Sequence, residues 1–265
     1  MDERSLGVVA LQTGLYPKDE KRALREGLSL AKSAARRKGT RLVCFPEHWL
    51  MDTIIEFGSE DTYGPFIDLA RDNSVYLNLG GIYEKDLQGR TFFLSPTISP
   101  QGEIISKQKK VHLFRRENNI ALPGDFFEPF MIDNVKVGVM VCHDVVFPES
   151  ARTLVLKGAE LLLNPSLIPV RGIEPWKIYV MARALENRVP VVAPNPYLAQ
   201  RVPGNGVIIG LKYEKAQGIM QVKEVAKGGE GKKIIRSKLV FNDDIAAQRK
   251  ERLDERKPST YSVLG

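Results

Sequence analysis

Apolar residues recur along this chain in two rhythms. Short unbroken apolar runs bounded by Gly, Pro or Asn predict buried strands, and longer stretches with apolar positions three and four apart predict helices. Residues 7–11, Gly-Val-Val-Ala-Leu, read as a strand. Within Pro17 to Lys38, Leu24, Leu28, Ala31, Ala34 and Ala35 form a helical stripe, which Gly39 closes. Arg41-Leu-Val-Cys-Phe45 is a second strand, ended by Pro46 and Glu47. This strand-helix-strand order predicts a parallel pair joined by a crossover.

A second helix precedes Asn73, and Val75 to Leu79 reads as a strand. The rhythm then changes. Thr91 to Ser99, the turn Pro100-Gln-Gly-Glu103 and Ile104 to Gln108 predict a hairpin with no intervening helix. Further on, strands over Lys136 to Val141, Ala159 to Asn164 and Val189 to Ala193 alternate with helices over Pro148 to Lys157 and Glu174 to Arg188. Pro190 inside the last of these strands argues for an edge position or an irregular start. Strands around Val207 to Tyr213, Gly218 to Val225 and Ile234 to Phe241 lead to a mostly helical charged tail, Asp243 to Lys257. The mixture predicts an α/β fold, either two sheets face to face with helices outside or one doubly wound sheet. With no repeat and no linker, residues 1–265 read as a single domain.

Composition narrows the class. A chain of 265 residues with 43% hydrophobic content can bury one large core or two smaller ones. No stretch approaches the ~20 apolar residues of a bilayer span, and the mixed-charge start, Met1 to Ser5, is unlike a signal sequence. A cytoplasmic protein without a membrane role is expected. Cys44 and Cys142 are the only cysteines, both at predicted strand ends, which suits a reducing compartment and no disulfide. His48, His112 and His143 are too widely spaced for a zinc motif, so no metal is expected. The net charge of +7 comes from basic residues interleaved with acids. Its densest run, with Lys227, Lys232, Lys233 and Arg236 around Gly228-Gly-Glu-Gly231, reads as a solvated hairpin rather than a nucleic-acid surface.

Candidate chemistry collects where strands stop, which is where sites assemble in α/β folds. Cys142 follows an apolar strand and precedes His143-Asp-Val-Val-Phe-Pro-Glu149 and a helix. A thiol at such a turn can meet solvent beside free backbone N–H groups. Glu47 ends Phe45-Pro-Glu47, and Lys110 opens Lys110-Val-His-Leu-Phe114. Together they suit acyl transfer: a carboxylate to take the thiol proton, a cation for the tetrahedral oxyanion and a thiol to carry the acyl group. Singly, each has a plainer reading: Glu47 as a helix cap, Lys110 as a surface lysine, Cys142 as a small buried hydrophobe.

In their motifs and order these segments resemble the nitrilase superfamily of carbon-nitrogen hydrolases. The likeness rests on Phe-Pro-Glu47, Lys110-Val-His-Leu-Phe and Gly138-Val-Met-Val-Cys142-His-Asp-Val-Val-Phe-Pro-Glu149. Arg152, Gly158-Ala-Glu160, Asn164-Pro-Ser166 and Ala182-Arg-Ala-Leu-Glu-Asn187 add to it. It runs from Gly7 to about Asn195 and is looser from about residue 200, where Arg252 to Tyr261 resembles a closing Arg-rich tail.

The resemblance implies a four-layer α-β-β-α sandwich of two mixed β-sheets with helices on the outer faces. It implies Glu47 as general base, Lys110 as electrophilic stabiliser and Cys142 as nucleophile, with Glu117, ahead of Pro123-Gly124, as a second glutamate orienting Lys110. It implies a homo-oligomer, dimer or larger, acting on a small-molecule amide without a cofactor. The Lys110 cation and the helix start should favour a thiolate at Cys142 and make it alkylate faster than Cys44. Members acting on nitriles usually carry Trp after the Cys, and amidase-like members often Tyr. Here His143 stands, which points away from nitriles and leaves His143 as a candidate pocket residue. Arg171, in Pro169-Val-Arg-Gly-Ile-Glu174, lies where some relatives bind a substrate carboxylate. Nitrile or N-carbamoyl hydrolysis, a catalytically silent interaction module and a nucleic-acid-binding protein are the competing readings.

Overall fold

A computed structural model describes residues 4–264. The charged start at residues 1–3 lies outside them. The first sheet is built from β1 (Ser5–Gln12), β2 (Leu42–Cys44), β3 (Ile54–Ile55), β4 (Tyr76–Asn78), β5 (Ile82–Lys85), β6 (Thr91–Ile98), β7 (Ile104–Lys109) and β16 (Lys233–Val240). Its order is β16-β1-β2-β4-β6-β5-β3, with β7 also paired to β6. The second sheet contains β8 (Phe130–Ile132), β9 (Val135–Val139), β10 (Leu161–Leu163), β11 (Val191–Ala193), β14 (Val207–Glu214) and β15 (Ile219–Lys227), in the order β15-β14-β11-β10-β9-β8. A two-stranded hairpin, β12 (Tyr197–Leu198) with β13 (Val202–Pro203), stands apart. Parallel pairs β1–β2 and β2–β4 sit beside antiparallel pairs such as β6–β7, so both large sheets are mixed.

Alternation along the strands sets the layers. In β1, Leu6, Val8 and Ala10 face the second sheet, packing with Val137, Val139, Leu161, Leu163 and Val192. Their neighbours Val9 and Leu11 face the helices α1 (Glu20–Ala35) and α2 (Glu60–Asn73), meeting Ala31, Ala34 and Phe66. On the far side, Leu162, Val191 and Ala193 pack against α3 (Pro148–Leu156) and α4 (Ile173–Asn187) through Leu154, Trp176 and Val180. Three cores thus separate four layers, helix, sheet, sheet, helix. Unbroken apolar runs are what strands covered on both faces require. α5 (Asp243–Asp254) follows β16, and a 3-10 segment over Pro258–Leu264 comes after it.

Two expectations need correction. The glycines at 228–231 do not turn a hairpin: β15 pairs with β14 in the second sheet, whereas β16 crosses to pair with β1 in the first. Gln12 receives this crossover, its Nε2 donating to the Gly231 carbonyl. Pro190 does not mark an edge strand either. It sits just before β11, which is interior, and only the irregular start holds. No helix of the described residues is long and apolar enough to cross a membrane.

Candidate active site

Three strand ends converge. Glu47 lies three residues beyond β2, Lys110 one beyond β7 and Cys142 three beyond β9. Lys110 Nζ donates to Glu47 Oε1 at 2.7 Å and contacts Glu117 at 2.8–2.9 Å. Glu117 arrives on the short 3-10 turn Arg115–Asn119. All three charged side chains are buried, Lys110 completely. Close packing lets them meet: a Cβ on Gly81 would stand 2.9 Å from Glu47 Cγ, so a larger residue there would displace the carboxylate.

The loop after β10 fixes the geometry. Leu167 N–H donates to Glu47 Oε2 at 2.9 Å, and Cys142 N–H donates to the Pro165 carbonyl at 2.8 Å. Asn164 Nδ2 donates to the Met140 carbonyl at 2.8 Å, while Trp176 Nε1 donates to its Oδ1 at 2.9 Å. Cys142 itself has φ 45°, in the left-handed region that L residues seldom occupy, and opens a 3-10 turn over Cys142–Val146. Asp144, fully buried, accepts from the Val141 and His112 N–H groups at 2.9 and 2.8 Å and from His112 Nδ1. It therefore ties the cysteine turn to the lysine loop.

The electrostatics differ from the expected thiolate. Burial pushes the Cys142 thiol well above its ordinary value, and the adjacent Glu47 carboxylate pushes it further, against the opposing pull of Lys110. The thiol rests protonated beside a carboxylate. Lys110 is held above its ordinary range: burial opposes its charge, but Glu47 and Glu117 outweigh it. Glu117 is lowered to about 2, because hydrogen bonds from His48 and Lys110 overcome the cost of burial.

Above this floor opens a cavity of about 640 Å³ lined by Glu47, His48, Lys110, Glu117, Cys142 and His143 with apolar walls that include Leu167, Ile168 and Trp176. His143 lies where expected, partly buried against Phe114, and burial lowers its imidazole below the ordinary range. Arg171 does not reach this lining. Pro169 and Gly172 at the ends of its turn face the cavity, and Arg171 between them is exposed. Arg115 and Arg116 supply cations there instead. Arg116 pairs with Asp52 at 3.1 Å, and the Arg115 guanidinium lies over the Phe114 ring. The sequence pattern marks neither arginine, and His48 only as one of three widely spaced histidines, although both arginines directly follow Lys110-Val-His-Leu-Phe114 and His48 directly follows Glu47. Glu47, His48 and Glu117 have ligand atoms within 4.8 Å of one another, as a metal site would. The Lys110 ammonium already bridges both carboxylates, the place a dication would need.

The family model for carbon-nitrogen hydrolases matches residues 6–221. The chain belongs to the carbon-nitrogen hydrolase family. This carbon-nitrogen hydrolase is 38% identical over 173 residues to a nitrilase of Pyrococcus abyssi, a match covering 60% of the chain and 63% of that relative. It is 28% identical over 209 residues to the omega-amidase NIT2 of Mus musculus, covering 72% and 74%. A carbon-nitrogen hydrolase from Helicobacter pylori G27 superposes with a TM-score of 0.82 at 22% identity, over 99% of this chain and 98% of that one, which is a likeness of fold.

Proposed function

We propose that this carbon-nitrogen hydrolase cleaves small amides through a Cys142 thioester. The supporting observation is the Cys142 thiol against the Glu47 carboxylate, with Lys110 bonded to that same carboxylate, on the floor of an open cavity. Glu47 takes the thiol proton as Sγ bonds to the amide carbon and the carbonyl electron pair moves onto oxygen. The Lys110 ammonium and the His143 N–H stabilise that oxyanion. Glu47 then protonates the amide nitrogen, the C–N bond breaks, and ammonia or an amine leaves. Water, deprotonated by Glu47, attacks the thioester. The C–S bond breaks, and Glu47 returns the proton to sulfur. Glu117 stays ionised throughout and positions Lys110.

Resting protonation of the thiol fits this scheme. A base able to take the proton only as the C–S bond forms avoids a standing buried thiolate beside Glu47. Arg115 and Arg116, exposed at the rim of the cavity that they help to line, favour amides whose acyl part ends in a carboxylate, whereas Arg171 is not among the lining residues. Unpaired Cys44 and Cys142 support a cytoplasmic setting. Exposed Leu156, Ile178 and Leu185 on α3 and α4 support a homo-oligomer, which sedimentation would measure.

Ammonia release is measured over neutral amides, ω-amides of dicarboxylates, N-carbamoyl amino acids and nitriles, with wild type beside Cys142→Ala. Release with an amide that disappears in the variant is expected. Release that survives in the variant would remove the thiol mechanism. An Arg115→Ser/Arg116→Ser double variant should raise KM for the acidic amides and leave neutral ones unchanged.

A further inference from the structure

His48 is a buried titratable group with no step of its own in the thiol chemistry. It follows Glu47 directly, at φ 55°, and its N–H donates to the Gly81 carbonyl at 2.8 Å. Its ring is clamped by aromatic neighbours, with Phe93 at 4.6 Å between centroids and Tyr83 edge-on at 5.5 Å. Nδ1 faces the Met51 carbonyl oxygen at 3.3 Å, and Nε2 faces Glu117 Oε1 at 3.3 Å. A carbonyl oxygen only accepts hydrogen bonds. The ionised Glu117 carboxylate, already accepting from Lys110 Nζ and the Phe114 N–H, also only accepts. A neutral imidazole has a single N–H and would turn its other lone pair on an acceptor. Only the imidazolium satisfies both contacts.

We infer that His48 is a standing imidazolium that bridges the Met51 carbonyl to Glu117, and that it is a positioning residue for Lys110. The inference rests on the thiol reading of the site. Around the ring stand Glu47 and Asp52 on its own loop, Tyr83 on β5, Lys110 after β7, and Arg116 and Glu117 on the 3-10 turn. With His48 charged, the buried core of this group holds two cations, His48 and Lys110, against two carboxylates, Glu47 and Glu117. When a proton passes from Cys142 to Glu47, the second negative charge moves onto the sulfur or the oxyanion it forms, and the site as a whole stays balanced. Burial opposes the His48 charge, but the Glu117 hydrogen bond and the Glu47 field outweigh it and raise the imidazole above its ordinary range. As pH rises through that raised value, the proton leaves and Glu117 loses one anchor. Catalysis then declines on the alkaline side through kcat, because the Lys110 ammonium that Glu117 positions acts on the oxyanion, which forms only beyond the bound ground state.

The chain has three histidines, so ¹⁵N-histidine labelling gives a spectrum that substitution can assign. One imidazole should remain doubly protonated above the ordinary histidine range, and its signals should vanish in His48→Gln. The wild-type alkaline limb of kcat should share its midpoint. In His48→Gln, kcat should fall about 10-fold with KM within about 2-fold, and that limb should move. His48→Gln failing to fold would not remove the test, since His112→Gln and His143→Gln leave the His48 signals by subtraction. A neutral His48 tautomer at neutral pH, or an alkaline limb identical in wild type and His48→Gln, would overturn the inference. The same spectrum taken on Cys142→Ala separates the two readings. A doubly protonated His48 there, beside amide hydrolysis that survives loss of the thiol, would sink the thiol mechanism and with it the positioning role, leaving only the charge state.

Discussion

Two buried Glu–Lys groups stand in the first sheet and its loops. In one, Glu84 on β5 meets Lys107 on β7 at 2.5 Å, with the Tyr63 hydroxyl also donating to the carboxylate. In the other, Glu47 and Glu117 hold Lys110. Residue types and burial of the carboxylates are alike, yet the surroundings differ. Glu84 is closed in by Tyr63 and by Lys107, whose ammonium also lies over the Phe57 and Tyr63 rings, and it lines no described cavity beside a thiol. The Lys110 group has a thiol at a strained turn on one side and open volume above it. A buried ion pair alone is thus no sign of chemistry. What distinguishes the second is a nucleophile and room for a substrate.

The sharpest way to break this contrast is substitution at both places. Cys142→Ala should lower amide hydrolysis by about 10³-fold or more, whereas Lys107→Met should keep the rate per folded molecule near wild type. Ammonia release corrected for folded fraction measures both, and a comparable loss at Lys107 would erase the distinction. Stability should respond in the opposite sense. Glu84→Ala leaves Lys107 and Tyr63 without their acceptor and should destabilise by about 3 kcal/mol, read by urea unfolding. A change near zero would mean that the Glu84 group contributes little.

The two thiols sharpen it further. Cys44 is fully buried, and burial alone raises its thiol far above the ordinary range. Cys142 is raised as well but partly faces the cavity. Iodoacetamide followed by peptide mass spectrometry should modify Cys142 and spare Cys44, with a rate that keeps climbing above neutral pH. A plateau already reached below neutrality would mean a standing thiolate.

The smallest effect concerns acid. Glu117 is held near 2 against an ordinary 4.5. A depressed carboxyl contributes stability that is present above its unfolded value and lost as pH falls from about 4.5 through its folded value. Glu117→Gln should therefore flatten the decline in stability over that acid window, as measured by unfolding at a series of pH values. An unchanged slope would place the acid sensitivity elsewhere, for example at Glu26, which is also held near 2.

The residue pattern was enough for the strands and helices that carry the site, because apolar runs and helical stripes report burial one element at a time. It placed Glu47, Lys110 and Cys142 each at a strand end, where sites assemble in α/β folds, while their meeting in one sandwich was implied only by the family likeness. Glu117 was legible only through family likeness, because nothing local marks a glutamate on a short turn. The features that the pattern could not carry depend on pairs distant in the chain. A glycine link between two strands looks the same whether it turns a hairpin or crosses between sheets, and pairing partners alone separate β15 from β16. Arg171 and Arg115 are both exposed loop arginines, and only the course of each turn in space made Arg115 line the cavity and left Arg171 outside it. The protonated Cys142 and the doubly bonded His48 follow from burial and from acceptors brought in by folding, such as Glu117, 69 residues from His48. Charge states are set by three-dimensional neighbours, and a one-dimensional pattern does not contain them.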